Sequence, residues 1–245
     1  MTELLLDVPG VGVLPAYFSP ARVDGGAPAP GVVVVHELFG VTDDIRRIAD
    51  EFASRGFHAV APDLLSHGAT VRCLVSIVRA LGAGEGRPFA EIDAARTWLS
   101  DRDDCSGRVG IAGFCLGGAF ALLMANRGFG ASAVQYGRLP KNLDAAMQGA
   151  CPVVASYGAL DGTLRGSATT LADSLERAGV EHDVHEYADA GHSFMNHSGV
   201  PSWMAPFTRS MHAGYVDTAA TDAWDRITAM FDAALRPTAE GTSST

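Results

Sequence analysis

Four residues of reactive types follow four separate apolar segments of the chain: Glu37, Cys115, Asp161 and His192. A free thiol is mostly protonated at neutral pH, and the thiolate is the nucleophile, so Cys115 needs a base. The imidazole of His192 is a candidate base, and the carboxylate of Asp161 can orient that imidazole and stabilise its cation. The chain order of nucleophile, acid and histidine therefore indicates nucleophilic catalysis by a triad.

The candidate nucleophile lies in a glycine-rich segment, Gly110-Ile111-Ala112-Gly113-Phe114-Cys115-Leu116-Gly117-Gly118-Ala119. Its Gly-x-Cys-x-Gly pattern predicts the end of a buried strand, a tight turn with Cys115 at the apex, and the start of a helix. Such a turn crowds the residues two positions away, and Gly113 and Gly117 relieve that crowding because they have no Cβ. The backbone N–H of Leu116 is then placed to bind an oxyanion.

Apolar strand patterns alternate regularly with helical patterns along the chain. Strands are predicted at residues 31–35, 57–62, 108–112, 131–136, 152–158 and 182–187. Helices are predicted at residues 43–55, 89–99, 116–126, 171–178 and 219–235. Between them, residues 64–90 are predicted to be mobile and partly helical, with a helix over 71–81, and Val11–Phe18 is predicted as an edge strand interrupted by Pro15.

This alternation predicts an α/β fold with a mostly parallel central sheet and helices on both faces. Functional sites of such sheets lie at the carboxyl ends of the strands, so all four reactive residues should meet at one edge. The N–H of Leu38, which follows the first strong strand, is a candidate second oxyanion donor there. We expect a single domain over residues 1–236 and a disordered tail over residues 237–245.

Composition and charge argue against several classes of function. The chain has 245 residues, is 47% hydrophobic and carries a formal net charge of −10, which disfavours binding to nucleic acid or to an anionic membrane. A nucleotide-binding sheet would need a G-x-G-x-x-G or G-K-[ST] loop, and the chain has neither after its first strand. We expect a cytoplasmic protein with free thiols, either a monomer or a small homo-oligomer, with no membrane segment.

No metal or cofactor is predicted either. The four cysteines form no C-x-x-C pair, and His182 and His185 would face opposite sides of a strand. Asp161 could instead be a turn former, with Asp189 as a rival acid, and His36 could simply pack or bond to backbone. Cysteines outside the elbow are interpreted as small buried hydrophobes.

Five ordered segments resemble the dienelactone hydrolase family of α/β-hydrolases. They are His36-Glu37-Leu38-Phe39-Gly40, Ala61-Pro62-Asp63-Leu64, Gly113-Phe114-Cys115-Leu116-Gly117-Gly118, Tyr157-Gly158-Ala159-Leu160-Asp161 and Ala190-Gly191-His192-Ser193-Phe194. The resemblance covers residues 32–194 and implies a single-domain α/β-hydrolase fold. It also implies a hydrolase of small carboxylic esters or lactones that uses a Cys-His-Asp triad and an acyl-enzyme. In the family, a glutamate at the position of Glu37 pairs with the resting thiol and takes part in its activation.

The chain departs from the family pattern where substrate binds. In the founding enzymes arginines bind the carboxylate of dienelactone, and one lies four residues past the catalytic histidine, where this chain has Asn196. An amide cannot form a charge-assisted bidentate pair with a carboxylate. Arg72 and Arg79 lie in the region of a second such arginine, without a determined register, and Trp203 lies in an apolar loop. These four residues are the candidate substrate-binding residues.

We therefore expect a substrate that is less anionic and more hydrophobic than dienelactone, such as a neutral ester or a neutral lactone. The alternative is a catalytically silent α/β-hydrolase scaffold that binds a ligand or a partner, since fold alone does not decide function.

Overall fold

The computed structural model of the chain describes residues 1–23, 27–67, 70–197 and 209–236, without the side chains of residues 70–72 and 209. The predicted tail over 237–245 and the candidate Trp203 lie outside the described residues. Eight strands form one sheet: β1 (Thr2–Val8), β2 (Gly12–Ser19), β3 (Ala29–Val35), β4 (His58–Pro62), β5 (Cys105–Phe114), β6 (Ser132–Gln135), β7 (Val153–Gly158) and β8 (His182–Tyr187).

The sheet is mostly parallel, as predicted. The strand order is β1-β2-β4-β3-β5-β6-β7-β8. The pairs from β4 across to β8 are parallel, whereas β1–β2 and β2–β4 are antiparallel. The β-branched run Val32–Val35 of β3 is fully buried because helices cover both faces of the sheet.

The helices form two layers. They are α1 (Asp43–Ser54), α2 (Thr70–Ala83), α3 (Arg87–Ser100), α4 (Leu116–Met124), α5 (Leu143–Met147), α6 (Ser167–Arg177) and α7 (Asp217–Leu235), with a 3-10 turn at Arg209–Met211. Phe52 of α1 packs against Trp224 and Phe231 of α7 on one face, with ring centroids 4.9 and 6.0 Å apart. On the other face, Phe89 of α3 contacts Phe120 of α4 at 5.1 Å.

The prediction that Val11–Phe18 forms an edge strand is wrong. Strand β2 lies inside the sheet, because β1 pairs along its outer side and β4 along its inner side. The pairing of β2 with β4 begins at Ala16, one residue past Pro15, so the missing N–H of that proline costs the sheet little. Strand β1 shows no clear strand pattern in the sequence, since its outward face carries both polar and apolar residues.

Candidate active site

The glycine-rich segment folds into the predicted strand, turn and helix. Strand β5 ends at Phe114, and α4 begins at Leu116. Between them, Cys115 has φ 54° and ψ −110°, a backbone conformation that is strained for a residue with a Cβ. Its N–H donates to the carbonyl of Gln135 at 3.0 Å, and its own carbonyl accepts from Gly118 at 3.1 Å. The thiol is therefore held at the apex of a sharp turn at the carboxyl edge of the sheet.

Two glycines, Gly113 and Gly117, allow the backbone of this turn to approach neighbouring backbone closely. A Cβ on Gly113 would lie 2.0 Å from the carbonyl oxygen of Gly117, and one on Gly117 would lie 2.1 Å from that of Val35. Both clashes are with backbone, which cannot move aside as a flexible side chain can. The elbow therefore packs directly on the end of β3, where the segment containing Glu37 and Leu38 begins.

We expect Gly113→Ala to lower the free energy of unfolding by about 3 kcal/mol or more, because the new methyl group forces backbone apart. The matched control is Gly82→Ala in α2, where a Cβ would meet nothing within 4 Å and φ is ordinary. That change should leave stability the same or raise it by up to about 1 kcal/mol. Urea unfolding followed by circular dichroism measures both. Equal effects of the two substitutions would contradict the steric argument.

The candidate acid and base lie together, buried, on the loops after β7 and β8. The ring Nδ1–H of His192 donates to Oδ2 of Asp161 at 2.6 Å. The other oxygen of Asp161 accepts from the N–H and the hydroxyl of Thr163 at 2.9 and 2.6 Å. These bonds fix the carboxylate and leave Nε2 of the imidazole as the proton acceptor, with no hydrogen-bonding partner in the described part of the chain.

The 3-10 turn supports the histidine from behind. The backbone N–H of His192 donates to the carbonyl of Met211 at 2.8 Å, and its carbonyl accepts from Gly214 at 3.2 Å. A Cβ on Gly191 would lie 2.1 Å from the carbonyl oxygen of His212, so this contact requires glycine before the histidine. The Gly-His pair of the sequence is thus a packing requirement of the site.

The surroundings of His192 stabilise the imidazolium that forms when Nε2 takes a proton. Burial alone would lower the pKa of His192, but the hydrogen bond to Asp161 and the interaction with Cys115 outweigh burial and raise the pKa above its usual value. Burial conversely raises the pKa of Asp161, and the hydrogen bonds from His192 and Thr163 reverse that effect and lower it. The pair is therefore suited to hold a proton on the imidazole beside an ionised Asp161.

Glu37 lies in the same site and is half-buried. Burial raises the pKa of its carboxyl to about 7, and the neighbouring charge of Asp44 adds to this shift, against the lowering effects of His192 and Ser193. The hydroxyl of Ser193 donates to Oε1 of Glu37 at 3.4 Å, and Ser193 itself has φ 58°. A carboxyl that titrates near pH 7 can exchange a proton with the groups around it.

The two candidate oxyanion donors follow the ends of adjacent strands. Leu38 comes after β3 and Leu116 after β5, and these two strands pair directly. Among the residues that the structure describes, the N–H groups of Leu38 and Leu116 donate to no other protein group. Two backbone donors at neighbouring strand ends are what an oxyanion hole requires.

Asn196 takes part in a buried polar network. Its Nδ2 donates to Oδ2 of Asp44 at 2.7 Å, and its Oδ1 accepts from the hydroxyl of Tyr136. Arg47 completes the network, with Nε donating to the other oxygen of Asp44 at 2.9 Å. The ring of Tyr136 packs against that of His192 with centroids 5.2 Å apart.

Sequence reasoning missed Tyr136, Asp44 and Arg47. Asp44 and Arg47 have the ordinary i,i+3 spacing of a surface ion pair on a helix, and Tyr136 ends an apolar strand. Only the positive φ of Tyr136, 43°, marks it as unusual, and φ is a property of the folded chain. The placement of Asn196 favours a supporting role, and its direct contact with substrate stays a prediction.

The other candidate substrate-binding residues are not tested by the geometry. Arg79 is exposed on α2, and the side chain of Arg72 lies outside the described residues. Of the remaining cysteines, Cys151 has its thiol pKa raised to about 12 by burial, and burial also raises the pKa of Cys105. These thiols are therefore poor nucleophiles.

Two kinds of feature are absent from the described ranges. They contain no group of three or more His, Cys, Asp or Glu side chains placed to hold a metal ion. No helix in those ranges has the length and apolar character needed to cross a membrane.

Comparisons with known proteins identify relatives of this chain. The carboxymethylenebutenolidase of Pseudomonas putida is 29% identical over 221 residues, which cover 85% of this chain and 86% of that protein. A protein of Escherichia coli O157:H7, provisionally given the same name, is 31% identical over 236 residues, 89% of this chain and 82% of its own. A crystal structure from Klebsiella pneumoniae, provisionally named a dienelactone hydrolase, superposes with a TM-score of 0.75 at 25% identity, covering 94% of this chain and 98% of that one.

The sequence model of the dienelactone hydrolase family matches residues 16–235, nearly the whole length of the chain. The match includes the loops that carry the thiol, the imidazole and both carboxyl groups of the site. Together with the eight-stranded sheet, it shows an α/β-hydrolase that acts on carboxylic esters or lactones. The chain belongs to the dienelactone hydrolase family.

Proposed function

We propose that this protein hydrolyses neutral carboxylic esters or lactones through an acyl-enzyme on Cys115. The observation that carries the proposal is the arrangement of one buried site. A thiol sits on a strained turn, beside an imidazole whose Nδ1–H donates to Asp161 at 2.6 Å and whose Nε2 has no hydrogen-bonding partner among the residues that the structure describes. This is the division of roles that a nucleophile, a base and an orienting acid require.

In the proposed first step, Nε2 of His192 takes the thiol proton and the sulfur of Cys115 attacks the acyl carbon. A C–S bond forms, and the carbonyl π electrons move to oxygen, where the N–H groups of Leu38 and Leu116 stabilise the charge. The intermediate collapses, the ester C–O bond breaks, and the imidazolium gives its proton to the leaving oxygen. In a lactone that hydroxyl group stays attached to the acyl chain.

In the second step, a water molecule attacks the thioester. His192 accepts a proton from the water, the C–S bond breaks, and the proton returns to the departing thiolate. The acid is released and the resting enzyme is restored. Both steps use the same base and the same oxyanion donors.

For Glu37 we propose the role that the family resemblance implies: pairing with the resting thiol and helping to activate it when substrate binds. Its carboxyl, with a pKa raised to about 7 by burial, can carry or release a proton at neutral pH. Its contacts with Ser193 and the charge of His192 tie it to the same site.

The preference for a neutral substrate is supported by four residues. The amide of Asn196, at the position of a carboxylate-binding arginine in the family, is already bonded to Asp44 and Tyr136. Phe39 and Leu160, which flank site residues in the sequence, are 42% and 44% exposed, which offers apolar surface to a substrate. An anionic substrate would also meet the carboxyl group of Glu37.

The experiment compares two p-nitrophenyl esters of similar size and opposite character, the neutral butyrate and the anionic monosuccinate, alongside dienelactone and a simple neutral lactone. We expect kcat/KM to be at least about tenfold higher for the butyrate than for the monosuccinate, the worth of one missing charge-assisted contact. A preference for the anionic ester or for dienelactone would contradict the proposed specificity. Turnover of no ester or lactone, with Cys115 unreactive to iodoacetamide, would instead indicate a silent scaffold.

A further inference from the structure

A buried histidine beside the site makes two hydrogen bonds that the proposed mechanism does not use. His36 follows β3 and is 1% exposed. Its Nδ1 lies 2.5 Å from the carbonyl oxygen of Glu37, and its Nε2 lies 3.1 Å from the backbone nitrogen of Leu64 in the loop after β4. Both partners are backbone groups, and each sits at the carboxyl end of the sheet.

The two partners determine where the ring proton is. A carbonyl oxygen only accepts, so Nδ1 must carry the hydrogen, and a backbone N–H only donates, so Nε2 must be unprotonated. The imidazole is thus neutral, in agreement with a pKa that burial lowers below its usual value. A charged group also lies near the ring: Oδ1 of Asp63 is 3.8 Å from Nε2 and accepts from the N–H of Leu65 at 3.0 Å.

The carbonyl that His36 binds belongs to a peptide group of the candidate oxyanion hole. In a trans peptide the C=O of Glu37 and the N–H of Leu38 point in opposite directions in one plane. A ring that donates a hydrogen bond to the carbonyl therefore fixes the rotation of the whole peptide plane, and with it the direction of the Leu38 N–H. A hydrogen bond accepted by a carbonyl also polarises the peptide and strengthens its N–H as a donor.

The other side of the ring is connected by hydrogen bonds to helix α3. Leu64 donates to Nε2 of His36, and its carbonyl accepts from Arg87 of α3 at 3.5 Å. Arg87 in turn donates at 2.9 Å to Glu91, a fully buried carboxyl that also contacts His67 at 2.7 Å. The imidazole thus connects the oxyanion peptide to a strand end that α3 holds in place.

We propose that His36 is a positioning residue: its imidazole, held by Leu64, orients the Glu37–Leu38 peptide so that the Leu38 N–H binds the acyl oxygen in the transition state. The inference rests on the proposed function, because it concerns the same oxyanion. If His36 orients this peptide, loss of its hydrogen bond to the carbonyl lowers kcat. If His36 only linked two loops, kcat would not depend on that bond.

Two variants separate the two hydrogen bonds. In His36→Asn the side-chain nitrogen occupies the place of Nδ1 and can still donate to the Glu37 carbonyl, whereas the bond to Leu64 is lost. In His36→Gln the side-chain oxygen occupies the place of Nε2 and can still accept from Leu64, whereas the bond to the carbonyl is lost. A positioning role makes the glutamine variant the worse enzyme, and a purely structural role does not.

Three readouts are measured on each full-length variant: steady-state hydrolysis of p-nitrophenyl butyrate, inhibition by an aryl trifluoromethyl ketone, and alkylation of Cys115 by iodoacetamide. The ketone forms an oxyanion on binding the thiolate, whereas alkylation forms none. We expect His36→Gln to lower kcat about 10²-fold with little change in KM, the cost of one lost oxyanion donor. Ketone affinity should fall by a similar factor, and the alkylation rate should stay within about twofold, as expected of a group that acts only on the oxyanion. His36→Asn should recover most of kcat.

The inference is overturned if the glutamine variant matches the unmodified protein, or if alkylation falls together with kcat. If the unmodified protein hydrolyses no ester or lactone, the proposed function itself is refuted, and this result differs from the two outcomes that overturn the inference about His36. A measurement independent of the variants is the ¹⁵N shift pattern of the His36 ring. We expect the Nδ1–H tautomer, and an Nε2–H tautomer would refute the hydrogen bonding described here.

Discussion

Replacing Cys115 by alanine is expected to lower kcat/KM for p-nitrophenyl butyrate by about 10⁴-fold or more, to near the rate without enzyme. The thiolate is the nucleophile of the first step in the proposed mechanism, and the acyl-enzyme cannot form without it. Steady-state kinetics with active-site-titrated protein measures the loss. Because alanine removes only a half-buried sulfur atom, we expect the unfolding transition to change little.

The matched control is Cys151→Ala, which also removes a half-buried thiol, at a position away from the elbow. Its thiol pKa is raised to about 12, so it holds no thiolate at neutral pH, and its loss should leave kcat/KM within about twofold. Mass spectrometry after a rapid quench should show the acyl group on the unmodified protein and on Cys151→Ala, and not on Cys115→Ala. Substantial turnover by Cys115→Ala would refute the covalent mechanism.

Replacing Asp161 by asparagine is expected to lower kcat/KM at pH 7 by about 10³-fold to 10⁴-fold. The carboxylate accepts the Nδ1–H of His192 at 2.6 Å, which leaves Nε2 free to take the thiol proton. An amide nitrogen at this position can donate to Nδ1, which then places the ring proton on Nε2 and blocks the base. The pH–rate profile of both proteins measures the effect.

The direction of the pH dependence follows from the chemistry of the thiol. A free thiol ionises near pH 8.5 without help from a base, so the loss caused by Asp161→Asn should be largest at pH 7 and smaller at pH 9.5. Asp189→Asn is the control, because Asp189 is an exposed acid three residues from the histidine. An equal loss in both variants would show that general charge near the loop, rather than the orienting hydrogen bond, accounts for the effect.

The nucleophile elbow was predictable because its constraint is local. A Cβ at position 113 or 117 would overlap backbone within 2.1 Å, so the chain needs glycine at both places, and this need appears in the sequence as a spacing. The buried strands were predictable for a similar reason. A strand covered on both faces, such as β3, needs an uninterrupted run of apolar side chains.

The edge of the sheet was predicted wrongly because strand position is not a local property. A proline such as Pro15 is typical of an edge strand, yet β2 pairs with β1 on one side and with β4 on the other. The proline is tolerated since the pairing of β2 with β4 starts one residue later, at Ala16. No pattern within β2 records which strand pairs beside it.

Asn196 shows the same limit within the site. Its sequence position, four residues past His192, predicts a contact with substrate by analogy with the family. Its environment depends on Asp44 and Tyr136, which lie 152 and 60 residues away along the chain. Only the folded chain brings these three side chains together. In the folded chain, Asp44 bonds to the nitrogen of the Asn196 amide and Tyr136 bonds to its oxygen.

The sequence alone was thus enough to predict four candidate site residues, Glu37, Cys115, Asp161 and His192. Each has a reactive side chain and follows a predicted strand. The tertiary structure decided which atoms they use. It bound Nδ1 of His192 to Asp161, placed Nδ1 of His36 on the Glu37 carbonyl, and buried the Glu37 carboxyl so that its pKa rises to about 7. Proton positions and pKa values depend on distance and burial, and both exist only once the strands have brought distant segments together.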